Sequence, residues 1–302
     1  MDTTAEFRRL HGGGFFVIPN AWDLGSAVIL EKIGFPAIAT TSSGFAASLG
    51  RGDQETTFDE LCRHVAALVH VTEVPISVDG ERLFADTPDG VAQNIGRIAD
   101  LGAAGISIED FDPVTGTIDD VDTAVIRVRA AAEVTSDRGM VLTARAENHL
   151  YGVDDLDDTI VRLSRYREAG ADVVYAPGLV TESDIGRIVS EVPAPVNVLL
   201  MSRAPQPRRL AELGVRRAST GGRLSTIAYG AMAEAARASC AAKMDENARR
   251  RRNIRRDHGE STAQRNRSSR RSHRGERAYD TLGSWVTGWC FSASRSTPTL
   301  QT

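Results

Sequence analysis

The stretch IADLGAAGISIE, Ile98 to Glu109, holds a helix end, a turn and the start of a strand. Gly102 stands where a helix terminus needs a left-handed residue, and the strand-like run Gly105–Glu109 follows at once. The same punctuation recurs at ILEKIGFPAIAT (29–40), YREAGADVVYA (166–176) and LAELGVRRAST (210–220), with Gly34, Gly170 and Gly214 in the turn. Working outward, apolar or β-branched runs fall at Phe15–Pro19, Ala37–Thr41, Ile76–Asp79, Gly105–Glu109, Val141–Ala144, Val173–Ala176, Val196–Met201 and Arg216–Thr220. Between them, segments such as GVAQNIGRIADLG and DLDDTIVRLSRYREAG place apolar residues at i, i+3, i+4 and i+7. This alternation over residues 1–240 predicts an α/β fold of the (β/α)8 TIM-barrel type. A doubly wound open sheet is the rival, since periodicity does not report closure. HGGGFF precedes the first strand, and no Gly-x-Gly-x-x-Gly or Walker sequence occurs, so no nucleotide loop is expected.

The charge changes character near the end of the chain. From Lys243 onward there are 14 Lys/Arg against 6 Asp/Glu, whereas residues 1–242 hold 22 against 34. The segment ENARRRRNIRRDHGESTAQRNRSSRRSHRGER has twelve arginines, few apolar residues and no period. Residues 241–302 are therefore expected to be a basic, disordered tail that cannot bury enough surface to offset its chain entropy. A nucleic-acid arm is the sharper reading of that tail, but no aromatics interleave the arginines to stack bases. A dispensable tail is the reading preferred. No apolar run approaches the roughly 20 residues of a membrane span, and MDTTAEFRRLHGGGFF lacks the pattern of a secretory signal. Cys62, Cys240 and Cys290 are scattered and odd in number. That argues against a disulfide framework or structural zinc and suits a cytoplasmic enzyme.

In such a barrel the chemistry sits at the C-terminal strand ends. Those ends supply Asn20 and Asp23, then Thr40–Gly44, then Asp79 and Glu81, then Glu109 and Asp110, then Arg145, Glu147 and Asn148. Carboxylates crowded on one rim raise each other's pKa unless a cation joins them. Oxygen donors without Cys or His point to Mg2+ or Mn2+. Asp79 and Glu81 share side-chain parity and both can face the mouth; salt-bridged rim residues are the plainer reading. Asp110 is expected to cap the following turn. Arg145 either neutralises Glu109 and Glu147 or clamps a substrate carboxylate or phosphonate. Ser43 and Gly44 either form a turn or offer a hydroxyl and backbone N–H groups to an anion. His64 and His149 are taken as surface or supporting residues.

Together VIPNAWDLGSAVILEKIGFPAIATTSSGFAASLG, PISVDGE…DTPDGVAQ, GAAGISIED, LTARAEN and EAGADVVYAPGL resemble the isocitrate lyase/phosphoenolpyruvate mutase superfamily, from Phe15 to Ala236. The resemblance implies a barrel that binds Mg2+ and a small 2-oxo or 2-hydroxy carboxylate or a phosphonate. It implies C–C or P–C bond chemistry through an enolate-like intermediate. By position, Asp79 would be the principal metal ligand, with Glu81 and Glu109 holding the ion directly or through water. Arg145 would bind the substrate acid group, and Glu147 would orient Arg145 or touch the metal's water shell. Ser43, Gly44 and Phe45 would cradle the carboxylate and enolate oxygens.

Two departures stand out. The lyases carry a Lys-Lys/Arg-Cys-Gly-His loop after strand four, but this chain has FDPVTGTIDDVD, without Cys, Lys or His. A cysteine-dependent isocitrate or methylisocitrate lyase is therefore not expected. The family's Gly-aromatic-Gly turn after the second acid is Leu83-Phe84-Ala85 here, which suggests a reshaped pocket or a drifted member. A catalytically degenerate, metabolite-binding barrel is accordingly the alternative function. The family's exchanged C-terminal helices are replaced by the arginine tail, so homo-oligomerisation by that route stays open.

Overall fold

The computed structural model describes residues 2–240, so the expected basic tail at 241–302 lies outside the described residues. The chain divides into two units after Ser225. Of the second unit, residues 226–240 are helical.

In the first unit the elements run α1 (Thr3–Gly12), β1 (Phe16–Ile18), β2 (Asn20–Ala21), α2 (Leu24–Ile33), β3 (Ile38–Thr40), α3 (Ser42–Ser48), α4 (Phe58–Val71), β4 (Ile76–Asp79), α5 (Pro88–Asp100) and β5 (Gly105–Glu109). They continue with β6 (Phe111–Asp112), β7 (Thr117–Ile118), α6 (Val121–Asp137), β8 (Val141–Arg145), α7 (Leu156–Glu168), β9 (Val173–Tyr175), α8 (Glu182–Glu191), β10 (Val196–Leu199), α9 (Pro207–Glu212) and β11 (Arg217–Ser219). One all-parallel sheet runs in the order β1-β11-β10-β9-β8-β5-β4-β3-β2. Its two ends, β1 and β2, are consecutive in the chain. β1 pairs with β11 and β2 with β3, so residues 16–21 form a single stave that belongs to both edges, and the barrel is closed. Proline has no N–H to give to a ladder and divides that stave. The Pro19 carbonyl still accepts from Ala39 N–H at 2.9 Å. Eight staves therefore appear as nine segments, and closure rules out the doubly wound sheet.

The helix-end glycines behave as the sequence predicts: Gly34, Gly102, Gly170 and Gly214 have φ of +99°, +91°, +111° and +90°. Along the staves, side chains alternate between two environments. Ile76, Val78, Ile106, Ile108, Leu142, Ala144, Val174, Val196, Val198 and Ala218 join the buried apolar layer under the helices. The other parity faces the barrel axis, and there Ser77, Ser107, Thr143, Asn197 and Ser219 are polar and mostly small. Bulky branched residues fill the interior of most such barrels. This one leaves a cavity of about 170 Å3, of the order of the ~150 Å3 void that takes up benzene. A short acid fits.

α1 closes the opposite mouth. Phe7 is fully buried with Ile18, Ala37, Ala104, Val141 and Val173. Gly105 makes room for it, since a Cβ there would lie 2.6 Å from Phe7 Cε1. The FDPVTGTIDDVD segment forms the antiparallel β6–β7 hairpin, Phe111 opposite Ile118, directly after β5. Among the described residues no helix is long and apolar enough to cross a membrane.

Candidate active site

Arg145, the last residue of β8, is the hub of the rim. Its Nη1 donates to Asp79 Oδ1 at 2.7 Å and its Nε to Glu147 Oε1 at 2.7 Å. Its Nη2 lies 3.1 Å from Glu109 Oε2, and the guanidinium sits 5.3 Å above the Tyr175 ring. Asp79 Oδ2 accepts the Ser42 N–H at 3.0 Å, and its Oδ1 also accepts the Ser107 hydroxyl at 3.2 Å. Glu109 Oε1 accepts from Gln54 Nε2 at 2.8 Å. Asp110, beside Glu109, does not cap the following turn. It is a buried brace that accepts the Glu147 N–H at 2.9 Å, the Tyr166 hydroxyl at 2.6 Å and Arg162 Nη1 at 3.2 Å.

The electrostatics are those of too many acids for one cation. Burial pushes Glu81 up to about 8, with Asp79 and Asp53 adding to the effect. Burial likewise raises Glu109 well above the carboxylate range and Glu147 to about 7, Arg145 opposing both. Asp53 is raised by burial and then by Asp79. For Arg145, burial alone would lower the pKa, but Glu147, Glu109 and Asp79 outweigh it and hold the guanidinium charged.

Of the residues expected from the sequence, Asp79, Glu109, Arg145 and Glu147 meet in one ion-pair cluster. Glu81 is buried beside them, hydrogen-bonded to Thr56, and its carbonyl accepts the Glu109 N–H. Ser43 lines the cavity, with its hydroxyl 3.1 Å from Thr41 Oγ1. Gly44 and Phe45 do not line it. The Gly44 N–H caps onto Thr41 Oγ1 and the Phe45 N–H bonds the Thr41 carbonyl, so both are spent on the first turn of α3. The Phe45 ring stacks on His64 at 4.0 Å. Asn20 joins neighbouring staves by accepting the Thr220 and Gly221 N–H groups.

Sequence reasoning missed Asp53 and Gln54, which reach the rim from the α3–α4 loop rather than from a strand end. Backbone strain is the signal that marks them. Among the described residues the non-glycines at positive φ are Gln54 (+65°), Glu81 (+49°), Leu83 (+61°) and Phe84 (+52°). All four lie in the two loops that bring Asp53 and Glu81 to the site, and such outliers concentrate at functional sites. The turn that lost its glycines has kept the backbone that glycine favours. Gly80, between the two acids, is required for another reason: a Cβ there would stand 2.4 Å from the Ser107 carbonyl oxygen.

The donor set suits a hard divalent cation in chemistry and in charge, being oxygen-only and electrostatically in excess. It is not gathered around one point. Among the described residues no three Asp, Glu, His or Cys side chains are arranged to hold a metal, because the Arg145 guanidinium stands among them.

A family profile for phosphoenolpyruvate phosphomutase matches residues 7–240. The chain belongs to that family. A relative from Mycobacterium tuberculosis strain H37Rv, an uncharacterized protein, is 34% identical over 239 residues, 77% of this chain and 88% of that one. The 2-methylisocitrate lyase of Salmonella typhimurium LT2 is 28% identical over 200 residues, 62% of this chain and 67% of the lyase. Among solved structures, a candidate lyase/mutase from Burkholderia cenocepacia J2315 superposes with a TM-score of 0.75 at 44% identity, over 78% of this chain and 87% of that one. The family is one of lyases and phosphonomutases, and the acid-rimmed barrel is an enzyme scaffold of that class.

Proposed function

We propose that the protein is a Mg2+- or Mn2+-dependent lyase or mutase acting on a small 2-oxo or 2-hydroxy carboxylate, or a phosphonate, through an enolate-like intermediate. The observation that carries this reading is Arg145, held by three carboxylates at the mouth of a polar cavity of short-acid size. Asp79, Glu81 and Glu109 would hold the ion, which supplies polarisation of a substrate carbonyl. The chain's own residues do the rest. Arg145 takes the substrate's acid group in a bidentate grip. Glu147 fixes the guanidinium through Nε, and Asp110 fixes Glu147 through its N–H, so the clamp is set before substrate arrives. The Ser43 hydroxyl lines the cavity and can donate to an oxygen that gains charge, while the Ser107 hydroxyl is spent on Asp79.

The test is release of pyruvate or oxaloacetate from a panel of such acids, with Mg2+ and then with chelator. Turnover should vanish with chelator and fall at least ~100-fold in Asp79→Ala, in line with removal of a group that stabilises developing charge. A folded, Mg2+-supplied protein that turns over nothing in the panel would sink the proposal.

A further inference from the structure

Arg217 is a buried cation that the proposed chemistry leaves unused. It lies on β11 with its side chain in the barrel, 5% exposed, and lines the same cavity as Arg145. Its hydrogen bonds are all to neutral groups. Nε donates to Asn197 Oδ1 at 2.9 Å, Nη2 to Thr143 Oγ1 at 2.9 Å, and Nη1 lies 3.2 Å from His11 Nε2. His11 is the neutral form here: its Nδ1 faces the Phe7 carbonyl at 2.8 Å and must donate, which leaves Nε2 to accept. Burial also pulls His11 down to about 3. Arg217 itself is drawn down by burial to about 10, with the Tyr175 phenol acting the other way, so it remains charged at neutral pH. Among the described residues no carboxylate lies within ion-pair distance of it, whereas Arg145 has three.

An ionised group held in the interior without a counter-ion is costly and is normally found paired. A guanidinium has five N–H donors, and three of Arg217's are accounted for. Thr143, which it touches, is two residues before Arg145 on β8. That sets the Arg217 contact one pleat deeper, about 7 Å further into the barrel. The cavity thus has a cation at its mouth, matched by acids, and a second cation at its floor, matched by none.

We propose that Arg217, with Asn197 and Thr143, forms a carboxylate subsite at the cavity floor that receives the far acid group of the molecule gripped by Arg145. This refines the lyase/mutase reading and rests on it for the identity of the bound molecule: a short-chain diacid, not a monoacid. The subsite supplies the counter-charge that the protein withholds, which makes an unliganded barrel poorer in stability than a liganded one. A purely structural hub linking β11, β10, β8 and α1 needs no charge, and a neutral amide would serve it.

The experiment is calorimetric titration of the full chain, with Mg2+ present, using acetate, malonate and succinate, on wild type, Arg217→Gln and Asn197→Asp. The aspartate places a carboxylate against the guanidinium and competes with the ligand from inside. Wild type should bind malonate or succinate at least tenfold more tightly than acetate. Both variants should fold, and both should lose that preference to within about threefold. An equal loss for acetate and the diacids would assign the floor to a free carboxylate and overturn the diacid part. Diacid affinity unchanged in folded Arg217→Gln would overturn the subsite altogether. Should Arg217→Gln fail to fold, Asn197→Asp alone decides, by the same criterion. Binding is read whether or not any acid turns over, so loss of the lyase reading and loss of the subsite are separate results.

Discussion

Glu81 offers the most direct check on the acid-crowded rim. It is 5% exposed, and burial, reinforced by Asp79 and Asp53, lifts its pKa from 4.5 to about 8. The folded chain therefore keeps a proton that the unfolded chain releases. Stability from this group is greatest below about 4.5 and is lost as the pH rises through about 8, since the native state binds more protons. At about 1.4 kcal/mol per pH unit, the full span is worth ~5 kcal/mol as a ceiling. Water entry and side-chain relaxation reduce it, so ~2–3 kcal/mol is expected between pH 5.5 and 8.5. Glu81→Gln keeps the shape and removes the proton. Urea unfolding of both proteins in chelator, at pH 5.5, 7 and 8.5, isolates the effect, because Glu109 and Glu147 titrate in both. The variant should gain on wild type steadily with pH. Mg2+ should stabilise wild type most at pH 8.5 and the variant less, since the variant keeps Asp79 and Glu109 but lacks the Glu81 carboxylate. A difference between the two proteins that does not change with pH would refute the assignment of a neutral, crowded Glu81.

Two further substitutions test the frame beneath the site. Gly80→Ala should destabilise by about 3 kcal/mol, because the new Cβ must push back the Ser107 carbonyl and Leu83 Cδ2, at 2.4 and 2.9 Å; it should also weaken Mg2+ binding, read by calorimetry, by displacing Asp79 and Glu81. Phe7→Ala should cost about 3–5 kcal/mol by emptying the barrel's closed mouth; a melting temperature close to wild type would show that α1 is not the plug described.

All eight staves were legible because each follows a helix or turn, seven as apolar or β-branched runs and the eighth, RRAST (216–220), by the Gly214 turn before it. The exact extent of the first stave was not. Pro19 reads as a strand end, yet the ladder resumes at Asn20, and only pairing with β3 reveals it. Nor does the sequence say that α1 (Thr3–Gly12) enters a barrel mouth. Arg216 and Arg217 are adjacent and alike in sequence; parity alone leaves Arg216 half-buried, bonded to the Gly13 carbonyl, and sends Arg217, 5% exposed, into the cavity. The four residues of the ion-pair cluster, Asp79, Glu109, Arg145 and Glu147, were legible as strand-end acids and a strand-end base. Asp53 was not, because it arrives on a loop whose path is set by Gln54 at positive φ, and a loop path has no period to read.

The Leu83-Phe84-Ala85 turn shows why a missing glycine need not mean a missing site. A left-handed backbone costs a non-glycine about 1–2 kcal/mol. Leu83 offsets this by being fully buried, and burial of a leucine side chain contributes about 2 kcal/mol. Its N–H bonds the Gly80 carbonyl at 2.8 Å, and its carbonyl accepts from Asn94 Nδ2 at 2.9 Å. Phe84 packs on Phe58 at 5.7 Å between ring centres. The conformation that glycines would permit is here imposed by packing against α5 and α4. Such a turn gives up freedom but not shape, and Glu81 is delivered to the rim by the same backbone path.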